Sequence, residues 1–390
     1  MTVLFKPAVI AISILTSVSL MPVKIHVYKA EDVPSSNGKT SKKIQAAVLL
    51  DVSNSMDGLI EQAKAQLWNM VSVMGKAKCD NGTTPEIEIS LYEYGRSNND
   101  VKSGFVKQIS GFTTDLDQLS QKLFSLTTNG GDEYCGQVIY TSLKDLNWDL
   151  DTSSYKVIFI AGNEDFLQGS MLYTKACDEA KKKGVIVNTI YCGDRMQGIK
   201  EHWNLNAECG DGSFTNINQD AKIEDIPTPY DSVIFALNDT LNTTYLTFGA
   251  YGASGYAAQS SADKKNYEMN KSVAVKRVSV KGKKELYKNS TWDMVDAIED
   301  DKDFADKVDL KTLPDSMKTK SRKEIKEIIV TKSAKRTKVQ KDIETVNAKR
   351  EVWLSEERKK KAVNNNTATL ESEIEKIIKK QAKRFNMVIK

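Results

Sequence analysis

The chain has 390 residues, enough for two or more cores, and its 56 Lys and Arg against 52 Asp and Glu leave a net charge of only +4. So small an imbalance sets up no overall field for nucleic acid, and a stock of two histidines, His26 and His202, argues against a histidine triad or a multi-histidine metal centre. Five cysteines without Cys-x-x-Cys spacing support neither a zinc ribbon nor a thioredoxin-type site; at most two pairs can form, and most are expected to be small buried residues.

In chain order, Lys6 precedes the apolar run Ala8–Met21, which has the length of a secretory h-region and is short for a membrane span. It predicts export to the periplasm or cell envelope through a signal peptide within residues 1–30. Because Tyr28-Lys29-Ala30 is a poor cleavage site, an uncleaved signal anchor tying the chain to the membrane is the alternative.

Ile44–Leu50 reads as a buried parallel strand, and Asp51-Val-Ser-Asn-Ser55 follows it directly. Leu59, Ile60, Ala63, Leu67, Met70, Val71 and Met74 then recur at helical spacing. A loop at the carboxyl end of such a strand lies in the crevice where open α/β sheets bind ligands. Asp51, Ser53 and Ser55 all offer oxygen, the donor preferred by Mg²⁺, Mn²⁺ or Ca²⁺, whereas a helix cap needs only one of them.

Next, Ile87–Tyr94 alternates as a strand, Gly95–Asp100 is a turn, and Gly104–Ile109 is a short edge strand. A helix over Asp115–Leu126 delivers the chain to Thr127-Thr-Asn-Gly-Gly-Asp-Glu-Tyr134, and a further helix continues through Leu143. The strongest strand, Tyr155–Ala161, ends in Gly162-Asn-Glu-Asp165. A polar-faced helix stopped by Gly184, a strand at Val185–Tyr191, a helix at Ile199–Cys209 and a weak strand at Gly212–Ile217 complete the pattern. His202, beside Trp203 in that helix, reads as a structural or surface residue. Strands alternating with helices predict an α/β fold: a doubly wound, mostly parallel sheet flanked by helices. The absence of a Gly-rich phosphate fingerprint after the first strand argues against a dinucleotide site.

Residues 42–220 resemble a von Willebrand factor type A domain with its metal-ion-dependent adhesion site. In that family the first loop supplies Asp-x-Ser-x-Ser, the second a Thr after small residues and the third an Asp after a buried strand. The resemblance implies a metal set of Asp51, Ser53, Ser55, Asp132 at the Thr position and Asn163 at the Asp position. Thr128 or Glu133 in the second loop, and Glu164 or Asp165 in the third, remain alternative ligands. A carboxylate has moved from the third loop to the second, so the set keeps its formal charge while its coordination changes. With Asp132 bound, a partner's Glu or Asp would complete the octahedron less strongly.

Beyond Pro227 the character becomes helical: Asp231–Leu241, a Gly-Tyr-rich break at Tyr245–Tyr256, then a helical stretch from Ala257 to about Leu286. Residues 228–314 are read as one helical region, with a boundary at Leu313-Pro314. Residues 315–390 are read as a charged helical hairpin or coiled-coil-like tail. There Ile325, Ile329, Val339, Ile343, Val346 and Trp353 partly fit a heptad seam interrupted by Lys332, Arg336 and Arg350. Leu370–Ile389 is a second helical piece after a break at Asn364–Thr367. The basic run Arg358–Lys361 is read as a solvated face.

Together these features predict a noncatalytic, divalent-cation-dependent binding or scaffolding module of the cell envelope. Its expected partner is an envelope or extracellular protein rather than nucleic acid, with the helical tail as a second surface for association. A metal-dependent hydrolase using Asp132 or Glu133 as base, and a structural protein with a degenerate cation site, are the competing readings.

Overall fold

The computed structural model describes residues 42–361 and 370–389, apart from 219, 222 and 224. The N-terminal signal or anchor segment and the Asn364–Thr367 break lie outside the described residues.

The first apolar run forms β1 (Lys43–Asp51), and after a 3-10 turn the helical repeat forms α1 (Asp57–Met74). A short β2 (Ala77–Cys79) leads to β3 (Glu86–Tyr94), β4 (Lys107–Thr113), α2 (Leu116–Phe124) and α3 (Cys135–Asp145). They are followed by β5 (Tyr155–Gly162), α4 (Tyr173–Lys183), β6 (Ile186–Cys192), α5 (Arg195–Lys200), α6 (Trp203–Cys209) and β7 (Phe214–Ile217). These build a six-stranded sheet in the order β4-β3-β1-β5-β6-β7, parallel except for the β3-β4 pair. The fold class is the expected one: a doubly wound, mostly parallel sheet between helices.

Alternation along the central strands sorts their side chains onto two faces. Ala46, Leu50, Val157 and Phe159 pack with α1 and α2, while Ala47, Leu49, Ile158 and Ile160 pack with α3, α4 and Trp203. Being covered on both faces is what lets β1 and β5 read as continuous apolar runs. The register pairs Asp51 with Tyr94 and Leu50 with Ala161, so β1, β3 and β5 end level and their loops share one edge.

Two expected helices are broken. His202 has φ +64°, a left-handed conformation that an α-helix cannot contain, so α5 and α6 replace one helix at 199–209. After α7 (Asp231–Asn242), the stretch expected to be continuous divides into α8 (Gly252–Met269) and α9 (Lys271–Lys281). Asn270 between them is extended, and its side chain accepts from Val273 N at 3.0 Å, a helix cap that only a restart at this point requires. The Gly-Tyr-rich break is shorter than expected, because α8 already begins at Gly252.

Three short helices, α10 (Met294–Asp300), α11 (Phe304–Lys307) and α12 (Asp315–Lys318), precede the long α13 (Arg322–Lys361), then α14 (Leu370–Ala382) and β8 (Met387–Ile389). α13 packs on α7, α9 and α10, burying Ile325, Ile329, Val339 and Ile343. The arginines that interrupt its apolar seam are buried with it: Arg336 pairs with Asp293 and Asp296, and Arg350 with Asp231. α14 instead lies on α1, where Gln381 links Tyr155 of β5 to Asn188 of β6, and β8 pairs with β2. Cys177 and Cys209 form a disulfide, and Cys79, Cys135 and Cys192 are buried free thiols. Among the described residues no helix is long and apolar enough to cross a membrane.

Candidate metal centre

Three loops converge at the level ends of β1, β3 and β5. Backbone bonds join the loop after β1, the turn after β3 and the 127–134 loop, which serves as the second loop: Val52 N donates to Tyr94 O at 3.0 Å, Asn129 N to Val52 O at 2.8 Å, and Ser97 N to Gly130 O at 2.9 Å. The second loop can pass this close because Gly131 has no side chain; a β-carbon there would stand 2.6 Å from both Gly95 O and Ser97 N.

Asp51 is fully buried at the end of β1. Its Oδ1 accepts from Ser53 N at 2.8 Å, and its Oδ2 has no partner. Ser53 precedes the 3-10 turn without capping it, and its buried hydroxyl is likewise unpartnered. Ser55 Oγ accepts from Asn163 Nδ2 at 3.2 Å, which joins the first loop to the third and leaves the buried Asn163 Oδ1 without a donor. Asp51, Ser53, Ser55 and Asn163 are thus gathered in one place.

Asp132 is not among them. It is exposed, and its Oδ2 accepts from the Tyr134 hydroxyl at 3.2 Å. The neighbouring Glu133 is the buried one. Of these two second-loop acids, it is Glu133 that lies beside Asp51. Nor does either residue cap the next helix, which starts at Cys135 with no side-chain cap. Two further oxygen donors of these loops are engaged with neighbours: Thr128 donates to Asp57 Oδ1 at 2.6 Å, and Asp165 pairs with His202 Nδ1 at 3.0 Å. Glu164 stays close enough for its charge to act on both Asp51 and Glu133.

The electrostatics follow from this crowding. Burial pushes the Asp51 carboxyl up to about 6, opposed in part by its bond from the Ser53 backbone N–H. Glu133 is pushed up to about 8, first by burial and then by the charges of Asp51 and Glu164. Tyr94 donates to Ala161 O at 3.0 Å and Cys135 contacts the Tyr94 hydroxyl, closing the floor with groups that burial keeps protonated.

Among the described residues no three His, Cys, Asp or Glu side chains gather closely enough to hold an ion by themselves, so hydroxyl and amide oxygens must complete any set here. They are present. The buried carboxylates of Asp51 and Glu133, with the unpartnered Ser53 hydroxyl and Asn163 amide oxygen, are a hard, all-oxygen donor set, which fits a small divalent cation. The motif Asp51-x-Ser-x-Ser55 and the buried strand before Asn163 made four of these residues legible. The choice between Asp132 and Glu133 had no signal in the sequence.

No protein-family model matches the sequence, and no curated protein matches it. Among solved structures, an aerotolerance-related membrane protein from Bacteroides fragilis shares 15% identity over 45% of this chain and 93% of that one, at a TM-score of 0.32. The SpRpn10 VWA domain shares 16% identity over 45% of this chain and 88% of its own, at 0.34. Proximal thread matrix protein 1 from the mussel byssus, solved with a zinc-occupied MIDAS motif, shares 12% identity over 45% of this chain and 42% of that one, at 0.32. In its mostly parallel sheet, and in the three loops that meet at Asp51, this chain resembles a von Willebrand factor type A domain.

Proposed function

We propose that the chain is a noncatalytic, divalent-cation-dependent protein-binding or scaffolding module of the cell envelope, with Asp51, Ser53, Ser55, Glu133 and Asn163 as the residues that would hold the cation. The observation that carries this reading is the meeting of two buried carboxylates, Asp51 with an unpartnered Oδ2 and Glu133, with the unpartnered oxygens of Ser53 and Asn163. Leaving such atoms buried and unbonded costs about 1–3 kcal/mol each, and a bound Mg²⁺, Mn²⁺ or Ca²⁺ would satisfy them together. Asp51 and Glu133 supply the negative charge, and Ser53, Ser55 and Asn163 supply neutral oxygen. With two carboxylates in the set and Glu164 at its edge, a partner that offers a neutral oxygen fits better than one that offers another acid.

Titration calorimetry with Mg²⁺, Mn²⁺ and Ca²⁺ tests the metal. One saturable site is expected in the wild type and none in Asp51→Ala, and no heat from any ion with the wild type would sink the reading. Capture from an envelope extract with and without chelator tests the partner. Chelator-insensitive capture would move recognition from the three loops to the helical region.

A further inference from the structure

A polar cavity of about 190 Å³ lies where α1, α9, α13 and α14 meet, away from the three loops. Lys76, Lys276, Lys283, Arg350 and Arg358 line it, against Glu351, Glu371 and Glu375. Two of the three acids are closely engaged, Glu371 with Lys276 and Glu375 with Lys379 at 2.7 Å, while Glu351 is half exposed to solvent. Lys76 and Lys283 have neither an ion pair nor a side-chain hydrogen bond among the described residues. Burial, and next the charge of Lys76, hold the Lys283 ammonium below its usual pKa.

A second observation comes from Arg350, which is only 1% exposed. Its Nε donates to Asp231 Oδ1 at 2.8 Å and its Nη2 to Ser272 Oγ at 3.3 Å, while Nη1 stands 3.6 Å from Glu351, beyond a good hydrogen bond. Ser72, Ser272 and Ser279 add hydroxyls to the wall. Lys76 and Lys283 each lie just past a helix C-terminus, where the dipole favours a cation. Two dipoles account for two lysines separately, but not for bringing both onto one wall beside a buried guanidinium.

We propose that this cavity binds a small multivalent oxyanion of the phosphate type, either free phosphate or the phosphate group of a monoester. Ammonium, guanidinium and hydroxyl donors arriving from separate helices suit a tetrahedral group with acceptor oxygens on every side, rather than a planar carboxylate. Such an anion would bridge α1 of the α/β layer to α9 and α13 of the helical region.

The test uses the full chain in chelator at constant ionic strength, so that phosphate cannot add to an ion at Asp51 and screening does not change. Inorganic phosphate and glycerol phosphate are titrated separately by calorimetry. One saturable site is expected, retained in Asp51→Ala, weakened about tenfold or more in Lys283→Met and in Lys76→Met, and unchanged in Lys284→Met. Tighter binding of the ester assigns a monoester, and tighter binding of inorganic phosphate assigns the free ion. Lys76 is exposed, so its variant keeps the test open if Lys283→Met fails to fold. No saturable heat from either anion, or equal affinity in all three lysine variants, overturns the proposal.

Discussion

Glu133 and Asp51 crowd the same side of Gly95: a β-carbon there would stand 3.0 Å from Asp51 Oδ1 and 3.0 Å from Glu133 Cγ. Gly95 has φ +80°, so the turn is open to glycine on backbone grounds as well, and the absence of a side chain leaves room for both carboxylates. Two buried acids with raised pKa values and no basic side chain bonded to either are a local source of instability that a cation would relieve.

Glu133→Gln is therefore expected to weaken Mn²⁺ binding by roughly tenfold to a hundredfold in calorimetry, while raising the melting temperature of the chelated protein. Asp132→Asn should leave both within error. The opposite ranking would return Asp132 to the ion.

Arg336 holds the long helix to the helical region. Its Nη1 donates to Asp293 Oδ2 at 2.7 Å and to Asp296 Oδ1 at 2.6 Å, and its Nε and Nη2 donate to the Thr244 hydroxyl and carbonyl. Arg336→Met strands two buried carboxylates, and urea unfolding is expected to show a loss of about 3–5 kcal/mol. A loss below ~1 kcal/mol would mean that the acids find other partners.

Lys281 is fully buried, with its ammonium bonded to Asn238, Asn242 and Asp263. Burial holds its pKa down to about 8, against the raising effect of Asp263. Between pH 8 and its ordinary value of 10.5, the unfolded chain keeps a proton that the folded chain has lost. The unfolded state binds more protons there, so stability rises with pH, by roughly 1 kcal/mol per unit at most. Urea unfolding at pH 7.5, 8.5 and 9.5 should show the wild type gaining on Lys281→Gln as pH rises; parallel curves would refute the assignment.

Ile378 of α14 is fully buried against the α1 side of the sheet. Ile378→Ala is expected to cost roughly 2–4 kcal/mol in the same assay, with increased binding of a hydrophobic dye as α14 loosens. A near-neutral change would show that α14 contributes little to the core.

Some of the candidate site was readable because its chemistry is local. Asp51, Ser53 and Ser55 lie within one turn after a continuous apolar strand, and Asn163 follows another, so strand burial alone brings these positions to the same edge. Asp132 and Glu133 sit in irregular backbone between α2 and α3, where no periodicity tells inside from outside. Only the path of the loop past Gly95 turned Glu133 inward. The helix breaks at His202, with its positive φ, and at the extended Asn270 were not read from apolar periodicity, which does not report backbone dihedrals.

The alternation of apolar strands with amphipathic helices was enough to specify a mostly parallel sheet covered on both faces, since each buried strand's pattern reports burial on two faces. Which second-loop carboxylate is buried beside Asp51, and where the last helices go, depended on contacts between residues far apart in the chain. Arg336 and Arg350 look like interruptions of an apolar seam until Asp293, Asp296 and Asp231 are brought to them. Similarly, α14 has an amphipathic pattern that fits any apolar surface, and the bonds from Gln381 to Tyr155 and Asn188 place it on the sheet domain. Burial patterns are written locally, but the partners that make buried charge and polar groups tolerable are supplied only by the tertiary structure.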